Sequence, residues 1–380
     1  MKKPSPLKIC IVSLNAYGVM SQTDTGHVGG IEVQTPLMAK WFAAYGFDVS
    51  LVTWDHGQAD GTVIDGVTMV KTCKESDGLP VVRFVWPRWT GLFSALKRAD
   101  ADIYYYNCGD MLLGQMAIWC KRNNRKLVYS VACDQDCLAS LPILKPQRER
   151  LLYRHGLLNA DEIIVQSTRQ KALLQEEFGL SSREMPMPCA GFEPKYTATE
   201  KVALNSVKRV VWAGRFSREK RFEWLIDIAK LLPGVHFDVL GSKNKSGEYD
   251  TALIEQAEGI ANITLHGRIP HSEMGEFYSD ADLLLNTSIY EGFPNTYLEA
   301  WSVGVPLVAT IDPDDVVKRY KLGFSGDSVK ALAEVIEKAL EPDTWVELST
   351  NARNFFTERH AIDKSMTGFA KLFEALADDS

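Results

Sequence analysis

The sequence predicts an α/β protein with two domains, each built on a parallel β-sheet that is covered by helices on both faces. The chain has 380 residues, which exceeds one ordinary domain and suits two. Short apolar segments alternate with amphipathic segments of helical length almost throughout, as they do in parallel sheets. After residue 178 the alternation lapses into a Pro- and Ser-rich stretch at 181–201 and then resumes, which predicts a linker.

In the first half, short apolar runs predict strands and amphipathic segments predict helices. The predicted strands cover residues 8–14, 48–53, 102–106, 126–131 and 162–166. The predicted helices between them include residues 31–44, 110–121 and 147–158. Residues 62–73 are predicted to form an inserted hairpin, because Asp65-Gly66 separates two β-branched runs and suits a two-residue turn.

The second half repeats the pattern. Its predicted strands cover residues 207–213, 236–240, 263–265, 281–285 and 306–309, and its last helices residues 330–340, 344–356 and 363–377. We expect one domain at 1–195, a second at 196–360, and a C-terminal helix at 361–380 that packs back on the first. Such sheets bind ligands at the carboxyl ends of their strands, so two Rossmann-like domains that face each other would form a binding cleft.

Composition and charge disfavour several classes of protein. A formal net charge of −7 disfavours nucleic-acid binding, which needs positive surface. The seven cysteines show no paired spacing, which indicates reduced thiols rather than a disulfide framework or a zinc site. Apolar runs are too short to span a bilayer, and Pro4 and Pro6 interrupt a segment that otherwise resembles a signal peptide. We expect a cytoplasmic protein that uses no metal and no cofactor.

Two basic segments in the first half raise the question of membrane contact. Residues 83–98 mix Trp86, Trp89 and Phe93 with four cations, and residues 145–155 form a basic amphipathic helix. This composition suits peripheral binding to the surface of an anionic membrane. It equally suits an aromatic helix that packs into the core and keeps its basic ends in solvent. Both interpretations stay open.

The stretch YEGFPNTYLEAWSVGVPLVA at 290–309 carries the first candidate site residues. It follows a buried strand and runs into a helix predicted to begin around Pro294, a residue suited to the first turn. The N-terminus of that helix offers unpaired N–H groups to an anion. Glu291 precedes the helix and Glu299 lies inside it, so one carboxylate can meet a group ahead of the helix end and the other a group beside it. Hydroxyl-rich ligands need such acceptors.

The stretch VKRVVWAGRFSREKRF at 207–222 carries the second. A buried strand ends at Gly214 and Arg215, and Lys220 follows five residues later. Two cations at the carboxyl end of a strand suit a diphosphate, because Arg offers a planar fork to phosphate oxygens and Lys a point charge. The neighbouring Arg218 and Arg221 are predicted to be solvated.

Together these motifs resemble the retaining GT-B glycosyltransferases of the family 4 type, over essentially the whole chain and most densely between residues 207 and 309. The resemblance implies that Gly214, Arg215 and Lys220 bind the diphosphate of a nucleotide sugar. It implies that Glu291 faces the donor sugar and that Glu299 holds the ribose hydroxyls. Glu291, Arg215 and Lys220 are the implied catalytic residues. The implied donor-binding residues also include Gly29, Gly30, Gly292, Phe293, Pro294 and Asn295.

The chain departs from that family in its first domain. Many relatives carry a histidine at the end of the strand that matches residues 126–131, whereas this chain has YSVACDQDC there. Asp134 or Asp136 is the acceptor-side candidate in its place. A metal-binding role for this D-x-D is disfavoured, because that motif belongs to a single-domain fold. Among the histidines, His27, beside the glycine pair, is the acceptor-side candidate.

The resemblance implies front-face transfer of a hexose from a UDP- or GDP-linked donor, with retention and without a metal. The acceptor would be a glycan or a lipid-linked saccharide in cell-surface polysaccharide synthesis. A nicotinamide oxidoreductase would need G-x-G-x-x-G after the first strand, and the loop YGVMSQTDTGHVGG does not supply that spacing. A sugar-nucleotide epimerase of the same fold and an inactive sugar-nucleotide-binding relative remain alternatives.

Overall fold

The computed structural model describes residues 6–378 apart from positions 24, 26–28, 81, 205–206 and 242–247. The chain folds into two compact units. Unit 1 comprises Met1–Pro188 together with Ser365–Ser380, and unit 2 comprises Cys189–Lys364. Each unit contains its own β-sheet.

The sheet of unit 1 is parallel except for one hairpin. Its strands are β1 (Lys8–Val12), β2 (Asp48–Thr53), β3 (Val63–Ile64), β4 (Val67–Lys71), β5 (Ile103–Tyr106), β6 (Lys126–Ser130), β7 (Glu162–Val165) and β8 (Arg183–Glu184), and they lie in the order β3-β4-β2-β1-β5-β6-β7-β8. Its helices are α1 (Tyr17–Ser21), α2 (Gly30–Tyr45), α3 (Thr90–Ala99), α4 (Leu112–Arg122), α5 (Gln147–Leu158) and α6 (Thr168–Phe178). The central strands β1 and β5 are almost wholly buried, as apolar strands between two helical layers must be.

The predicted hairpin forms, but it is not an insertion. Asp65 and Gly66 both have positive φ, 49° and 80°, as a two-residue turn between antiparallel strands requires. However, β4 also pairs in parallel with β2, so it is a regular member of the main sheet. The sequence pattern identified the turn, and it could not show the second partner, because pairing across a sheet is set by the whole fold.

Helices α4 and α5 approach each other through glycine. A Cβ on Gly114 would lie 2.0 Å from the carbonyl oxygen of Leu152, and one on Gly156 would lie 2.6 Å from the amide nitrogen of Gly114. No real side chain tolerates such distances to backbone atoms. The two helices therefore pack backbone to backbone at this crossing.

The sheet of unit 2 is parallel throughout. Its strands are β9 (Arg209–Ala213), β10 (His236–Leu240), β11 (Ile263–Gly267), β12 (Leu283–Asn286), β13 (Leu307–Ala309) and β14 (Gly323–Ser325), in the order β11-β10-β9-β12-β13-β14. Its helices are α7 (Ala198–Ala203), α8 (Phe222–Leu231), α9 (Glu248–Glu258), α10 (Met274–Asp280), α11 (Asn295–Ser302), α12 (Val316–Arg319), α13 (Val329–Ala339) and α14 (Pro342–Phe355). Numbered within the unit, the strand order is 3-2-1-4-5-6, that of the doubly wound Rossmann fold. This confirms the predicted α/β architecture.

The last helix, α15 (Ile362–Asp378), starts in unit 2 and continues in unit 1. Inside unit 1 its Phe373 ring stacks on Phe42 of α2, with ring centroids 5.1 Å apart, and lies 6.1 Å from the ring of Tyr105. Phe373 is fully buried. A segment distant in sequence therefore contributes to the core of unit 1.

Two boundaries differ from the prediction. The predicted linker at 181–201 contains β8, which pairs with β7, and the beginning of α7. Helix α11 begins at Asn295, and Pro294 is its extended N-cap residue rather than part of its first turn. Proline suits this place because it lacks an N–H and has a fixed φ.

Candidate active site

The strand order of unit 2 creates a switch point between β9 and β12. From β9 the chain continues to β10 on one side, and from β12 it continues to β13 on the other. The loops that leave these two strands therefore diverge, and ligands of open α/β sheets bind in the crevice that forms there. Residues 214–221 follow β9 and residues 287–294 follow β12, so both sequence motifs begin at this crevice.

Lys220 and Glu291 meet at the switch point. The Lys220 ammonium pairs with Oε1 of Glu291, and the Ser288 hydroxyl donates to the same oxygen at 2.6 Å. The amide of Asn286 lies 3.4 Å from it. Both charged side chains are mostly buried. The site thus holds a cation and a carboxylate next to polar groups from the end of β12.

Arg221 fastens the two loops together, and this corrects the expectation that it is solvated. Its guanidinium donates to the carbonyl oxygens of Thr287 at 2.6 Å and Ser288 at 3.0 Å, and it lies 3.8 Å from the ring centroid of Trp224. The Thr287 hydroxyl donates to the carbonyl oxygen of Lys220 at 2.6 Å. These bonds fix the loop that carries Lys220 to the loop that carries Glu291. The polar run Asn286-Thr287-Ser288 at the end of a buried strand is a sequence signal that could have indicated this junction.

Arg215 does not join the ion pair. Its side chain is 65% exposed, and its guanidinium lies 3.9 Å from Oε1 of Glu219. Arg218 is exposed as predicted. Gly214 directly follows β9, and its N–H donates to the carbonyl oxygen of Leu240 at 3.0 Å. Of the two predicted cations, Lys220 is central and Arg215 lies at the rim.

Gly292, Phe293 and Pro294 join Glu291 to α11. Phe293 is buried, and its ring stacks on His360 with centroids 5.1 Å apart. Gly292 has no side chain, and the N-cap Pro294 makes no side-chain capping bond. Asn295 opens the helix. The amides at the start of α11 thus follow Glu291 closely in the sequence. Unpaired amides at a helix N-terminus can bind an anion.

Glu299 is held by two partners that the sequence did not reveal. It is only 7% exposed, and the Tyr278 hydroxyl donates to Oε2 at 3.0 Å. Nε2 of His271 lies 2.9 Å from Oε1. The hydrogen bond to Glu299 raises the pKa of His271 above its ordinary value, and partial burial opposes that shift. These partners lie 21 and 28 residues from Glu299, with no motif that links them.

The predicted site residues of unit 1 lie in two separate parts of the unit, at the start of α2 and after β6. Gly29 is the N-cap residue of α2 and Gly30 its first residue. A Cβ on Gly29 would lie 2.6 Å from a carboxylate oxygen of Glu32, so the side chain of Glu32 already occupies that space. His27 lies outside the described residues.

Asp134 and Asp136 lie in the turn after β6. Asp134 pairs with Arg169 at 2.8 Å. Asp136 is 5% exposed and accepts from the N–H of Cys133 at 3.1 Å, so it caps its own turn. Burial, opposed by these hydrogen bonds, raises the pKa of Asp136 to about 6. Its geometry thus favours a role in capping this turn over contact with an acceptor.

Within the described residues, no group of three or more His, Cys, Asp and Glu side chains is arranged to hold a metal ion. Across that same part of the chain, no helix has both the length and the apolar character needed to cross a membrane.

In comparison with known proteins, each half of the chain matches a family of glycosyl transferase domains. Residues 29–189 match the family described as glycosyl transferase 4-like domain, and residues 207–342 match glycosyl transferases group 1. A Streptococcus pneumoniae protein, UDP-N-acetylglucosamine--peptide N-acetylglucosaminyltransferase GtfA subunit, is 31% identical over 172 residues, which are 41% of this chain and 32% of that protein. The alignment thus spans about a third of that relative. D-inositol 3-phosphate glycosyltransferase of Corynebacterium urealyticum is 26% identical over 341 residues, 80% of this chain and 79% of that protein.

Solved structures of glycosyltransferases share the fold. Sucrose-phosphate synthase from Thermosynechococcus elongatus superposes with a TM-score of 0.80 at 18% identity, over 99% of this chain and all of that one. The two family matches together cover most of the chain, in the order in which the two units follow each other. The chain therefore belongs to the group 1 glycosyltransferases and has the GT-B fold.

Proposed function

We propose that the protein is a retaining glycosyltransferase that moves a hexose from a UDP- or GDP-linked sugar to a hydroxyl acceptor. The observation that carries this proposal is the placement of Lys220 beside Glu291 at the switch point of unit 2. A nucleotide sugar needs a cation for its diphosphate and carboxylates for its hydroxyls. Residues at this one edge of the sheet offer both.

The diphosphate is the leaving group, and it gains negative charge as the glycosidic bond breaks. Lys220 and the N-terminus of α11 stabilise that charge, with Arg215 approaching from the rim. Lys220 is held in place before the donor arrives, so it needs little reorganisation during the reaction. A fixed cation also makes a metal unnecessary for this step.

The two carboxylates take different roles. Glu291 faces the transferred sugar, and Glu299 accepts hydrogen bonds from the ribose hydroxyls. Neither acts as a nucleophile of the glycosidase kind. The acceptor attacks from the face that the diphosphate leaves, and a departing phosphate oxygen takes its proton. The anomeric configuration is retained as a result.

The names of relatives support a nucleotide-sugar donor and a glycoconjugate product. The streptococcal relative is named for a UDP-linked donor and a peptide acceptor, and the corynebacterial one for an inositol phosphate acceptor. We propose a glycan or a lipid-linked saccharide in cell-surface polysaccharide synthesis as the acceptor. Acceptors differ widely among these relatives, so this is the assignment that most needs a direct assay.

The test begins with thermal shifts in UDP, GDP and their sugars, since a ligand of the folded state raises the melting temperature. The donor so identified is then incubated with saccharide acceptors, and the anomer of the product is determined by NMR. Transfer with retention, unaffected by exhaustive chelation, supports the proposal. An inverted product contradicts retention, and a requirement for added magnesium or manganese contradicts metal independence. An isomerised donor indicates an epimerase, and binding without turnover indicates an inactive relative.

We also propose that unit 1 docks on the cytoplasmic face of an anionic membrane. Residues 82–98 and 143–155 contain eight Lys and Arg but one Asp or Glu, in a chain of net charge −7. Arg148 lies over the ring of Phe84 at 4.6 Å, so the two segments form one basic aromatic surface. Large apolar side chains project from it into solvent: Val82, Val85 and Trp86. Exposed Trp and Arg together suit an anionic lipid interface.

Vesicle flotation tests this docking. We expect the protein to float with vesicles that contain phosphatidylglycerol and not with pure phosphatidylcholine. Trp86→Ala should weaken the binding without a change in melting temperature, because Trp86 is 65% exposed. Leu231→Ala, at an exposed apolar residue of unit 2, is the matched control. Equal flotation of wild type and the Trp86 variant, or flotation with neither lipid, overturns the assignment of this surface.

A further inference from the structure

The carboxylate of Glu299 is fixed in the folded protein before any ligand binds. Each of its oxygens has a donor, Tyr278 on Oε2 and His271 on Oε1. Tyr278 is fully buried, whereas the His271 side chain is 44% exposed. One partner therefore belongs to the core, and the other stands between the core and solvent.

The two partners are themselves held by packing. His271 lies in a short 3₁₀ turn after β11, and Tyr278 lies on α10 a few residues later. The ring of Phe192 packs against both, at 5.5 Å from His271 and 6.0 Å from Tyr278. A Cβ on Gly275 would lie 2.7 Å from that ring, so glycine leaves the space that Phe192 needs. The turn, α10 and Phe192 form one bracket around Glu299.

A carboxylate has about four lone-pair directions, and the two donors occupy two of them. The remaining two can accept two vicinal hydroxyls if the carboxylate cannot rotate. A mostly buried carboxylate without partners would turn towards solvent to regain hydrogen bonds. The bracket holds the carboxylate of Glu299 in place.

We infer that His271 and Tyr278 are positioning residues that orient Glu299 toward the two ribose hydroxyls of the nucleotide. This inference rests on the proposed function, in which Glu299 binds the ribose. In this arrangement His271 and Tyr278 affect only the binding of the nucleoside part of the ligand. The diphosphate meets Lys220 and the start of α11, whereas the hydrogen bonds of the bracket go to Glu299.

Two other ionisable groups near Glu299, Cys189 and Tyr278, do not change charge at neutral pH. Burial raises the pKa of the Cys189 thiol to about 12, and burial with the nearby Glu299 charge raises that of Tyr278 well above its ordinary range. A histidine-specific effect can therefore be separated from its surroundings by substitution. Glutamine at position 271 keeps a donor and removes the charge, and alanine removes both.

The experiment compares ligands with and without ribose. UDP, GDP and inorganic pyrophosphate are titrated by calorimetry into wild type, His271→Ala, His271→Gln, Tyr278→Phe and Glu299→Gln. For the nucleotide that wild type binds, we expect His271→Ala and Tyr278→Phe to weaken affinity by about three- to tenfold, the effect of one lost hydrogen bond. His271→Gln should recover most of it. Pyrophosphate should bind all five proteins equally.

The outcomes separate this inference from the function on which it rests. Glu299→Gln that binds the nucleotide like wild type, or a wild type that binds neither nucleotide, contradicts the ribose assignment and the inference with it. A clear loss in Glu299→Gln without a loss in His271→Ala and Tyr278→Phe overturns the positioning role alone. Equal weakening of pyrophosphate and nucleotide shows a general distortion of unit 2 and also overturns it.

Discussion

Single side chains in this protein differ sharply in what their neighbours allow them to do. Lys220 and Arg215 were predicted as equivalent cations, yet one is mostly buried against Glu291 and the other is 65% exposed. A buried charge interacts in a lower effective dielectric and is screened less by salt. The structure therefore ranks two residues that the sequence could only group.

Replacement of these cations should follow that ranking. We expect Lys220→Ala to lower turnover by about a hundred- to a thousandfold, as loss of a preorganised donor does, because its contact with the leaving group strengthens as charge develops. Arg215→Ala should have a smaller effect. Arg218→Ala, at an exposed neighbour, is the control. Steady-state kinetics of folded variants measures this, and three equal effects would show that the loop is simply a basic surface.

Asp136 predicts a pH dependence of stability. Its pKa rises from 3.8 to about 6, mainly through burial. The folded chain thus holds this proton more tightly, so its contribution is fully present below pH 3.8 and is lost as the pH rises through about 6. A shift of about two units corresponds to ~3 kcal/mol.

Asp136→Asn should remove that loss. We expect the stability of the variant relative to wild type to increase between about pH 4 and pH 7 in urea denaturation. Asp65→Asn, the same substitution at an exposed turn residue, is the control. Parallel profiles for wild type and Asp136→Asn would mean that this carboxylate does not titrate in the expected range.

Secondary elements were predictable where their own pattern determines them. The strands β1, β2 and β9 and the helices α2, α13 and α14 lie within about two residues of their predicted positions. Short edge strands were missed, because β8 and β14 have two and three residues and exist only through their neighbours.

The candidate site likewise contains residues that the sequence identified and residues that it did not. The motif residues Lys220 and Glu291 form an ion pair, since both follow strands of one sheet. Arg221 was misjudged because a charged residue in a polar loop is expected to be solvated until its carbonyl partners are known. His271 and Tyr278 could not be found, because their contact with Glu299 depends on how α10 packs beside α11.

The crossing of α4 and α5 supplies a prediction at this scale. Gly114→Ala places a methyl group against the backbone of Leu152, so the helices must separate. We expect a loss of about 1–3 kcal/mol or more, as overpacking causes. Gly91→Ala in α3 is the matched control, because its Cβ would make ordinary contacts and alanine favours helices. Chemical denaturation measures both, and equal stabilities would contradict the close crossing.

At the scale of the whole molecule, the two units should respond separately to damage in their cores. Phe373→Ala removes a fully buried ring from unit 1, at a cost of about 3–5 kcal/mol. We expect faster hydrogen exchange throughout Met1–Pro188, even though the substitution lies near the other end of the sequence. Glu374→Ala, exposed on the same helix, is the control. Faster exchange confined to Cys189–Lys364 would contradict the division into units.

The path of α15 also determines the order in which the units can be completed during synthesis. Unit 2 is one uninterrupted stretch, Cys189–Lys364, whereas unit 1 needs residues that the ribosome adds only after unit 2 is finished. Nascent domains fold as units and usually from the N-terminus. Here the contact site of Phe373 on Phe42 stays uncovered until the second sheet has been synthesised. The unit that is made first is therefore the one whose core is completed last.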